Sequence, residues 1–151
     1  MQGKHILIGV TGGIAAYKTA YLIRDLVKRG AEVKVIMTEK AKAFITPLTL
    51  ATLSKNPILV DFFDPTNGAW NSHVSLGLWA DAYVIAPATA NTISKFAYKI
   101  ADNPISTLLI TAYGHDTPIL FVPSMHDSMF KAIEENIEKI KNKNFKRHVF
   151  K

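Results

Sequence analysis

The sequence contains no cysteine. Disulfide bonds, thiolate metal ligands and a cysteine nucleophile are therefore excluded for these 151 residues. No apolar run approaches the ~20 residues that a membrane-spanning helix needs. The segment before Thr11 has only five apolar-rich residues, too few for a signal-peptide core. We therefore expect a soluble protein without membrane contact, and the lack of cysteine fits a reducing cytoplasm.

Acidic residues are missing from the end of the chain. Residues 1–138 carry 12 Lys and Arg against 12 Asp and Glu, whereas residues 139–151 carry six basic residues and no acidic one. The formal net charge of +6 therefore comes from the last residues, and the body of the chain is neutral. We interpret residues 144–151 as a solvated basic tail and expect no nucleic-acid partner. Binding of this tail to a nucleic acid or an anionic surface stays open as the alternative.

Short apolar runs alternate with helical patterns along the chain. The runs predict buried strands at residues 5–10, 32–37, 58–60, 82–86 and 118–122. Helical spacing and end signals predict helices between them at residues 15–28, 39–44, 47–54, around 76–79, after 87 up to about 98, from about 103, and from about 127 to 143. This alternation predicts an α/β fold with a doubly wound parallel sheet of Rossmann-like type. We expect one domain over residues 1–143.

A glycine-rich turn follows the first predicted strand, in residues 9–15. Glycine permits close backbone approach there, and the start of the following helix favours an anion. The turn departs from the G-x-G-x-x-G dinucleotide pattern, and the second strand ends in Met37-Thr38 rather than in an acidic residue that would hold a ribose. We therefore favour a phosphate-bearing mononucleotide over NAD. That Gly12 and Gly13 only make a tight turn remains the alternative.

Short polar side chains follow the strand predicted at residues 82–86, after it breaks at Pro87. Thr89 and Asn91 are placed to hydrogen-bond the edge of a flat heterocycle, although Thr89 can equally cap the next helix. Asn103, followed by Pro104, has the same two interpretations, a helix cap and a ligand contact. The sequence leaves both open.

Two histidines are candidates for proton transfer near neutral pH, His73 and His126. For each alone, a structural role is the simpler interpretation, and Asp127 or Ser124 is the expected cap of the last helix. The glycine turn, Thr38, residues 87–92 and His126 all follow predicted strands, however. They therefore fall on the one edge where doubly wound sheets bind ligands.

With these motifs in place, the chain resembles the homo-oligomeric flavin-containing cysteine decarboxylases, and within them the phosphopantothenoylcysteine decarboxylase domain of coenzyme A biosynthesis. The resemblance extends from Gly9 to about Met129. It rests on the sequence TGGIAAYK at 11–18, MT at 37–38 with AFI at 43–45, His73 ahead of WAD at 79–81, PATANT at 87–92, ADN at 101–103, and P-x-M-x-x-x-M at 123–129.

The resemblance implies an FMN-dependent carboxy-lyase acting on 4′-phosphopantothenoyl-L-cysteine, which yields 4′-phosphopantetheine. In that family the flavin oxidises the cysteine side chain toward a thioaldehyde, and the carboxylate then leaves as carbon dioxide. His73 matches the family's catalytic histidine, often found at a subunit interface of a trimer. By the same matching the FMN-binding residues are Gly12, Gly13, Ile14, Thr38, Phe44, Ala88, Thr89, Ala90, Asn91, Thr92 and Asn103. The substrate-binding residues are Met125, His126 and Met129, and no metal is implied.

Two departures from the family pattern leave alternatives open. His126 stands where most members have asparagine, although histidine can also donate a hydrogen bond to a carboxylate. The family's substrate clamp and its cysteine do not occur before Lys151, so either they lie beyond this sequence or the final reduction uses other groups. A peptidyl-cysteine decarboxylase and a non-catalytic FMN-binding regulatory protein remain alternatives. A flavin prenyltransferase fits the first turn less well. We expect a cytoplasmic homotrimer or dodecamer, working with a separate or fused phosphopantothenoylcysteine synthetase.

Overall fold

The computed structural model describes residues 1–142 and 149–150, and the strands form one parallel sheet. The strands are β1 His5–Val10, β2 Glu32–Met37, β3 Ile58–Leu59, β4 Ala82–Ala88, β5 Ile119–Pro123 and β6 Val149–Phe150. Their order in the sheet is β3-β2-β1-β4-β5-β6, and every neighbouring pair is parallel. The predicted doubly wound α/β fold is confirmed. The strand order reverses between β1 and β4, which makes their carboxyl ends the topological switch point.

Helices cover both faces of the sheet. They are α1 Thr19–Lys28, α2 Pro47–Ser54, α3 His73–Trp79, α4 Ala90–Ala97, α5 Pro104–Gly114, α6 Asp127–Ala132 and α7 Glu134–Asn142. Side chains of β1 alternate between two apolar clusters: Ile6 and Ile8 belong to the cluster that includes residues of α1 and α2, and Leu7 belongs to the cluster that includes residues of α4, α5 and α7. Burial on both faces explains why the strands read as continuous apolar runs.

The structure differs from the predicted elements in two helices. The helix predicted at residues 15–28 begins as a 3-10 turn, Ile14–Lys18, before α1. The helix predicted at 127–143 is two helices, because Ile133 leaves the helical conformation between α6 and α7. α6 buries none of its side chains, whereas Ile137 and Ile140 of α7 are buried, so the break redirects the chain onto the core. Of the predicted solvated tail at residues 144–151, Val149 and Phe150 instead form β6 beside β5, and residues 144–148 and 151 lie outside the described residues.

Five residues at the amino edge of the sheet are linked by contacts with His5 or with Trp79, and we call them the His5 cluster: His5, Glu32, Lys34, Trp79 and Asp81. The backbone N–H of His5 donates to Asp81 Oδ2 at 2.8 Å, and this bond is the main reason that the pKa of Asp81 lies below its ordinary value. The His5 ring stacks on Trp79 with centroids 4.7 Å apart, and its Nδ1–H donates to the Trp79 carbonyl at 3.1 Å. Lys34 Nζ lies 4.2 Å from the Trp79 ring, and Glu32 lies 3.6 Å from His5 Nε2.

In the part of the chain that the structure describes, no helix combines the length and the apolar character needed to cross a membrane.

Candidate functional site

A cleft of about 570 Å³ opens at the switch point, where the carboxyl ends of β1 and β4 diverge. The described residues that line it are Thr11, Gly12, Thr38, Glu39, Lys40, Thr89, Ala90, Asn91, Thr92, Lys95, Asn103 and Met129. A second hollow of about 470 Å³, the side lobe, shares Thr38, Glu39 and Asn103 with the cleft and extends to Phe62 and Asp102. Ligands of doubly wound proteins bind at this position.

The cleft brings together eight of the residues predicted from sequence. They come from five separate segments of the chain: Gly12, Thr38, Thr89, Ala90, Asn91, Thr92, Asn103 and Met129. Their convergence on one surface agrees with the expectation that loops after parallel strands share an edge.

Gly12 allows the turn after β1 to approach the chain after β2. A Cβ on Gly12 would lie 2.9 Å from Lys40 Cβ, closer than real Cβ contacts, and 3.2 Å from the Lys40 carbonyl carbon, closer than most of them. Gly13 is different, because a Cβ there would meet no atom of the described residues within 4 Å. The turn is therefore closely packed at Gly12 and open at Gly13.

Three polar side chains at the cleft are helix or turn caps. The hydroxyl of Thr89 accepts from Thr92 N at 3.3 Å to cap α4, and Asn103 Oδ1 accepts from Ser106 N at 3.0 Å to cap α5. Both capping interpretations are confirmed. Thr38 Oγ1 accepts from Ala41 N at 3.2 Å and begins the 3-10 turn Glu39–Ala43. Thr89 Oγ1 also lies 3.2 Å from Thr92 Oγ1, and Asn103 Nδ2 donates to Asp102 Oδ1 at 3.3 Å. A side-chain amide has two N–H donors, so capping and ligand binding are compatible at Asn103.

Thr11 joins the two sides of the cleft, a role that no local sequence pattern indicates. Its hydroxyl donates to the carbonyl of Pro87 and accepts from the backbone N–H of Thr89 at 3.2 Å. Thr19, the first residue of α1, makes a comparable bond to β4: its hydroxyl donates to the carbonyl of Ala86 at 2.8 Å. Both threonines are at most 2% exposed. The bonds span 67 to 78 positions of sequence, which explains why local patterns could not reveal them.

Lys95 supplies a cation to the cleft, and this residue was also missed. Its Nζ lies 2.8 Å from Asp102 Oδ2, and this hydrogen bond lowers the pKa of Asp102 below its ordinary value. Its position one helical turn after Asn91 is a signal that sequence reasoning could have used.

His73 is the first residue of α3 and lies beside the side lobe. Its ring is 5.5 Å from that of Phe62, measured between centroids, and Phe62 lines the lobe. Ser72 caps the helix by accepting from Ser75 N at 3.2 Å. The predicted inner face of α3 is confirmed, since Leu76 and Trp79 pack against the core.

The remaining predicted site residues lie elsewhere. Ala88 is buried at the end of β4, and Met125 packs half-buried against the core. Ile14 and Phe44 are exposed, by 77% and 44%, and belong to neither the cleft nor the side lobe as lined by the described residues. His126 itself caps α6, accepting from Ser128 N at 3.2 Å, so the expectation of Asp127 or Ser124 as the cap was wrong. Among the described residues, no group of three or more His, Asp and Glu side chains is arranged to hold a metal.

Comparison with known proteins gives concordant matches. The family described as Flavoprotein matches residues 1–149. The bifunctional coenzyme A biosynthesis protein CoaBC is 44% identical over 147 residues in Borreliella burgdorferi and 44% identical over 140 residues in Escherichia coli K12. These matches cover 96% and 91% of this chain but only 37% and 34% of the two relatives, so the chain spans little more than a third of their length. The solved FMN-dependent cysteine decarboxylase SpaF is 27% identical with a TM-score of 0.84, over 98% of this chain and 84% of its own.

Proposed function

Because the chain belongs to the flavoprotein family, we propose that its switch-point cleft binds FMN and that it decarboxylates 4′-phosphopantothenoyl-L-cysteine to 4′-phosphopantetheine. The observation that carries this proposal is the convergence of eight matched residues on one cleft of about 570 Å³. The relatives that resemble this chain at 44% identity carry out coenzyme A biosynthesis, which favours the pantothenoyl substrate.

The residues of the cleft suit a phosphate at one end and a flat heterocycle at the other. We assign the phosphate to the open turn at Gly12 and Gly13, with Thr38 as a hydroxyl donor from the facing turn. We assign the ring system to residues 88–92 and to Asn103, where the side-chain amides of Asn91 and Asn103 can donate to the edge of a heterocycle. Ile14 and Phe44 complete the assignment as exposed apolar groups next to these two turns.

His73 is our candidate for proton transfer during the reaction. When bound, the flavin would accept two electrons from the cysteine side chain, which allows carbon dioxide to leave, and would return them in the reduction that completes 4′-phosphopantetheine. The protein's own part is to hold the substrate's sulfur-bearing carbon against the cofactor and to move protons near it. Because His73 lies beside the side lobe, it is a neighbour of the cleft rather than part of its lining.

We assign the substrate carboxylate to His126, with Met125 and Met129 beside it. Nδ1 of His126 accepts the helix-capping N–H of Ser128, so the neutral ring carries its proton on Nε2. That N–H is the donor we propose for the carboxylate.

We also propose that the protein is a cytoplasmic homotrimer or dodecamer and that it acts together with a separate or fused phosphopantothenoylcysteine synthetase, a proposal supported by the bifunctional nature of the relatives. Exposed apolar side chains surround His73 in the chain, among them Phe63, Trp70, Val74 and Leu78. An interface between subunits would bury them and place His73 at the junction. Light scattering after size-exclusion chromatography would measure the assembly.

The proposal is tested by reconstitution and a spectrum. We expect the purified protein to retain FMN, and anaerobic addition of phosphopantothenoylcysteine to bleach the flavin band and release carbon dioxide. A colourless protein that cannot be loaded with FMN would contradict the proposal. The similarity to SpaF keeps a peptide with C-terminal cysteine as the second substrate to be assayed in parallel. Yellow protein that turns over neither substrate would instead identify a non-catalytic flavin-binding protein.

A further inference from the structure

The hydrogen-bonded pairing of β1 with β4 stops short of the cleft. The ladder ends at Gly9 opposite Ile85, although both strands continue beyond that point. Two residues further along, Thr11 faces Pro87, which has no backbone N–H to donate. The Thr11 side chain supplies the missing link, because its hydroxyl donates to the Pro87 carbonyl and accepts from the Thr89 N–H.

We propose that Thr11 is a positioning residue for the FMN site, an inference that rests on the proposed function. Thr11 connects the glycine turn directly to residues 87–89, and Thr89 in turn caps α4. One buried hydroxyl therefore fixes the separation and orientation of both walls of the cleft: the turn assigned to the phosphate and the segment assigned to the ring.

Because the Thr11 hydroxyl is buried, losing its two hydrogen bonds should be costly. Thr11 is 1% exposed, so water cannot replace the hydroxyl without a rearrangement. Replacing Thr11 with valine keeps the shape but leaves the Pro87 carbonyl and the Thr89 N–H without their partner. An unsatisfied buried group is costly, so residues 87–89 are expected to move until both groups find other partners. Such movement separates the two walls.

Thr19 provides a matched control. It is 2% exposed, and its hydroxyl donates to the carbonyl of Ala86, the residue next to Pro87. Thr19 does not line the cleft, as defined by the described residues, and its bond does not reach the segment beyond Pro87. Thr19→Val therefore removes a buried hydrogen bond of the same kind without releasing the cleft wall.

The experiment compares Thr11→Val, Thr11→Ser and Thr19→Val by two measurements. The first is FMN affinity by fluorescence titration of the apoprotein, and the second is amide hydrogen exchange of residues 89–92 without cofactor. We expect Thr11→Val to weaken FMN binding about tenfold or more and to accelerate exchange at Thr89. Thr11→Ser, which keeps the hydroxyl, and Thr19→Val should stay near wild type in both measurements.

Several results would overturn the inference. Thr11→Val with wild-type affinity and exchange would do so, as would an equal loss of affinity in Thr19→Val. If Thr11→Val does not fold, Thr11→Ala replaces it and is judged by the same two measurements. A wild-type protein that binds no FMN would instead reject the proposed function, so the two failures are distinguishable.

Discussion

The two edges of the sheet use their polar groups in opposite ways. At the amino edge, the His5 cluster is self-contained: His5 is bonded to Asp81 and to the Trp79 carbonyl, and Lys34 lies over the Trp79 ring. At the carboxyl edge, Thr38, Thr89 and Asn103 each accept one backbone N–H as a cap while bordering an open cleft. Helix α3 links the two edges, since it begins at His73 and ends at Trp79.

The difference shows how one fold separates stability from binding. A cluster whose members face one another has few donors left for a ligand, whereas caps on separate elements converge without using all of their hydrogen-bonding capacity. Substitutions at the carboxyl edge should therefore change binding or turnover more than stability. Substitutions at the amino edge should do the reverse.

The largest effect is expected for His73→Asn. If His73 transfers a proton during decarboxylation, its loss should lower the rate of carbon dioxide release by ~10²–10⁴-fold. FMN content should stay unchanged, because His73 does not line the cleft as the described residues define it. The matched control is His115→Asn, since His115 is an exposed residue at the opposite end of α5 from Asn103. If both variants released carbon dioxide at similar rates, His73 would not take part in the reaction.

Gly12→Val should have the next largest effect. Its side chain would collide with the Lys40 backbone and Cβ, so the turn must move away from the chain after β2. We expect a loss of stability of ~1–3 kcal/mol, typical of overpacking, together with loss of bound FMN. Thermal unfolding and the absorbance of the purified protein measure the two effects. Gly114→Ala, with no neighbour within 4 Å of the added Cβ, is the control and should change neither.

Gly13→Ala should affect binding alone. In the part of the chain that the structure describes, the added Cβ meets no atom within 4 Å, and the backbone at Gly13 is extended, a conformation that any residue adopts. It would occupy only the space that we assign to the phosphate, so FMN affinity should fall about tenfold, or ~1.4 kcal/mol, with an unchanged melting temperature of the apoprotein. Titration of the apoprotein with FMN measures the affinity, and thermal unfolding of the apoprotein measures the stability. If Gly13→Ala bound FMN with wild-type affinity, the phosphate would not lie at this turn.

The sequence predicted most of the sheet and several caps because their signals are local. A run of apolar residues at 82–86 predicts the strand that the structure shows there. Asn103 followed directly by Pro104 predicts the start of a helix, which is α5. The break at Ile133 has no glycine or proline to mark it, and it follows from burial of Ile137 and Ile140 against distant helices.

The missed interactions depend on contacts between residues far apart in the chain. Thr11 and Pro87 are 76 positions apart, and so are His5 and Asp81. The sequence shows Thr11 and His5, but it does not show which residues they bond. Their partners are known only from the structure, where β1 and β4 pair side by side. The sequence therefore predicted eight residues that the structure brings together at one cleft, but it did not reveal the long-range hydrogen bonds at either edge.

The smallest effect is expected for Asp81→Asn, which tests the amino edge. The hydrogen bond from the His5 N–H, aided by attraction to Lys4 and His5, keeps the pKa of Asp81 lower in the folded protein than in the unfolded chain. The carboxylate therefore stabilises the fold above about pH 4, and this contribution is lost as the pH falls through the lowered pKa. The difference in unfolding free energy between wild type and Asp81→Asn should then shrink on acidification below about pH 5, while FMN affinity at neutral pH stays unchanged. Denaturant unfolding at several pH values measures this. A difference independent of pH, or a weakened FMN affinity, would show that the two edges are not separated in function as we infer.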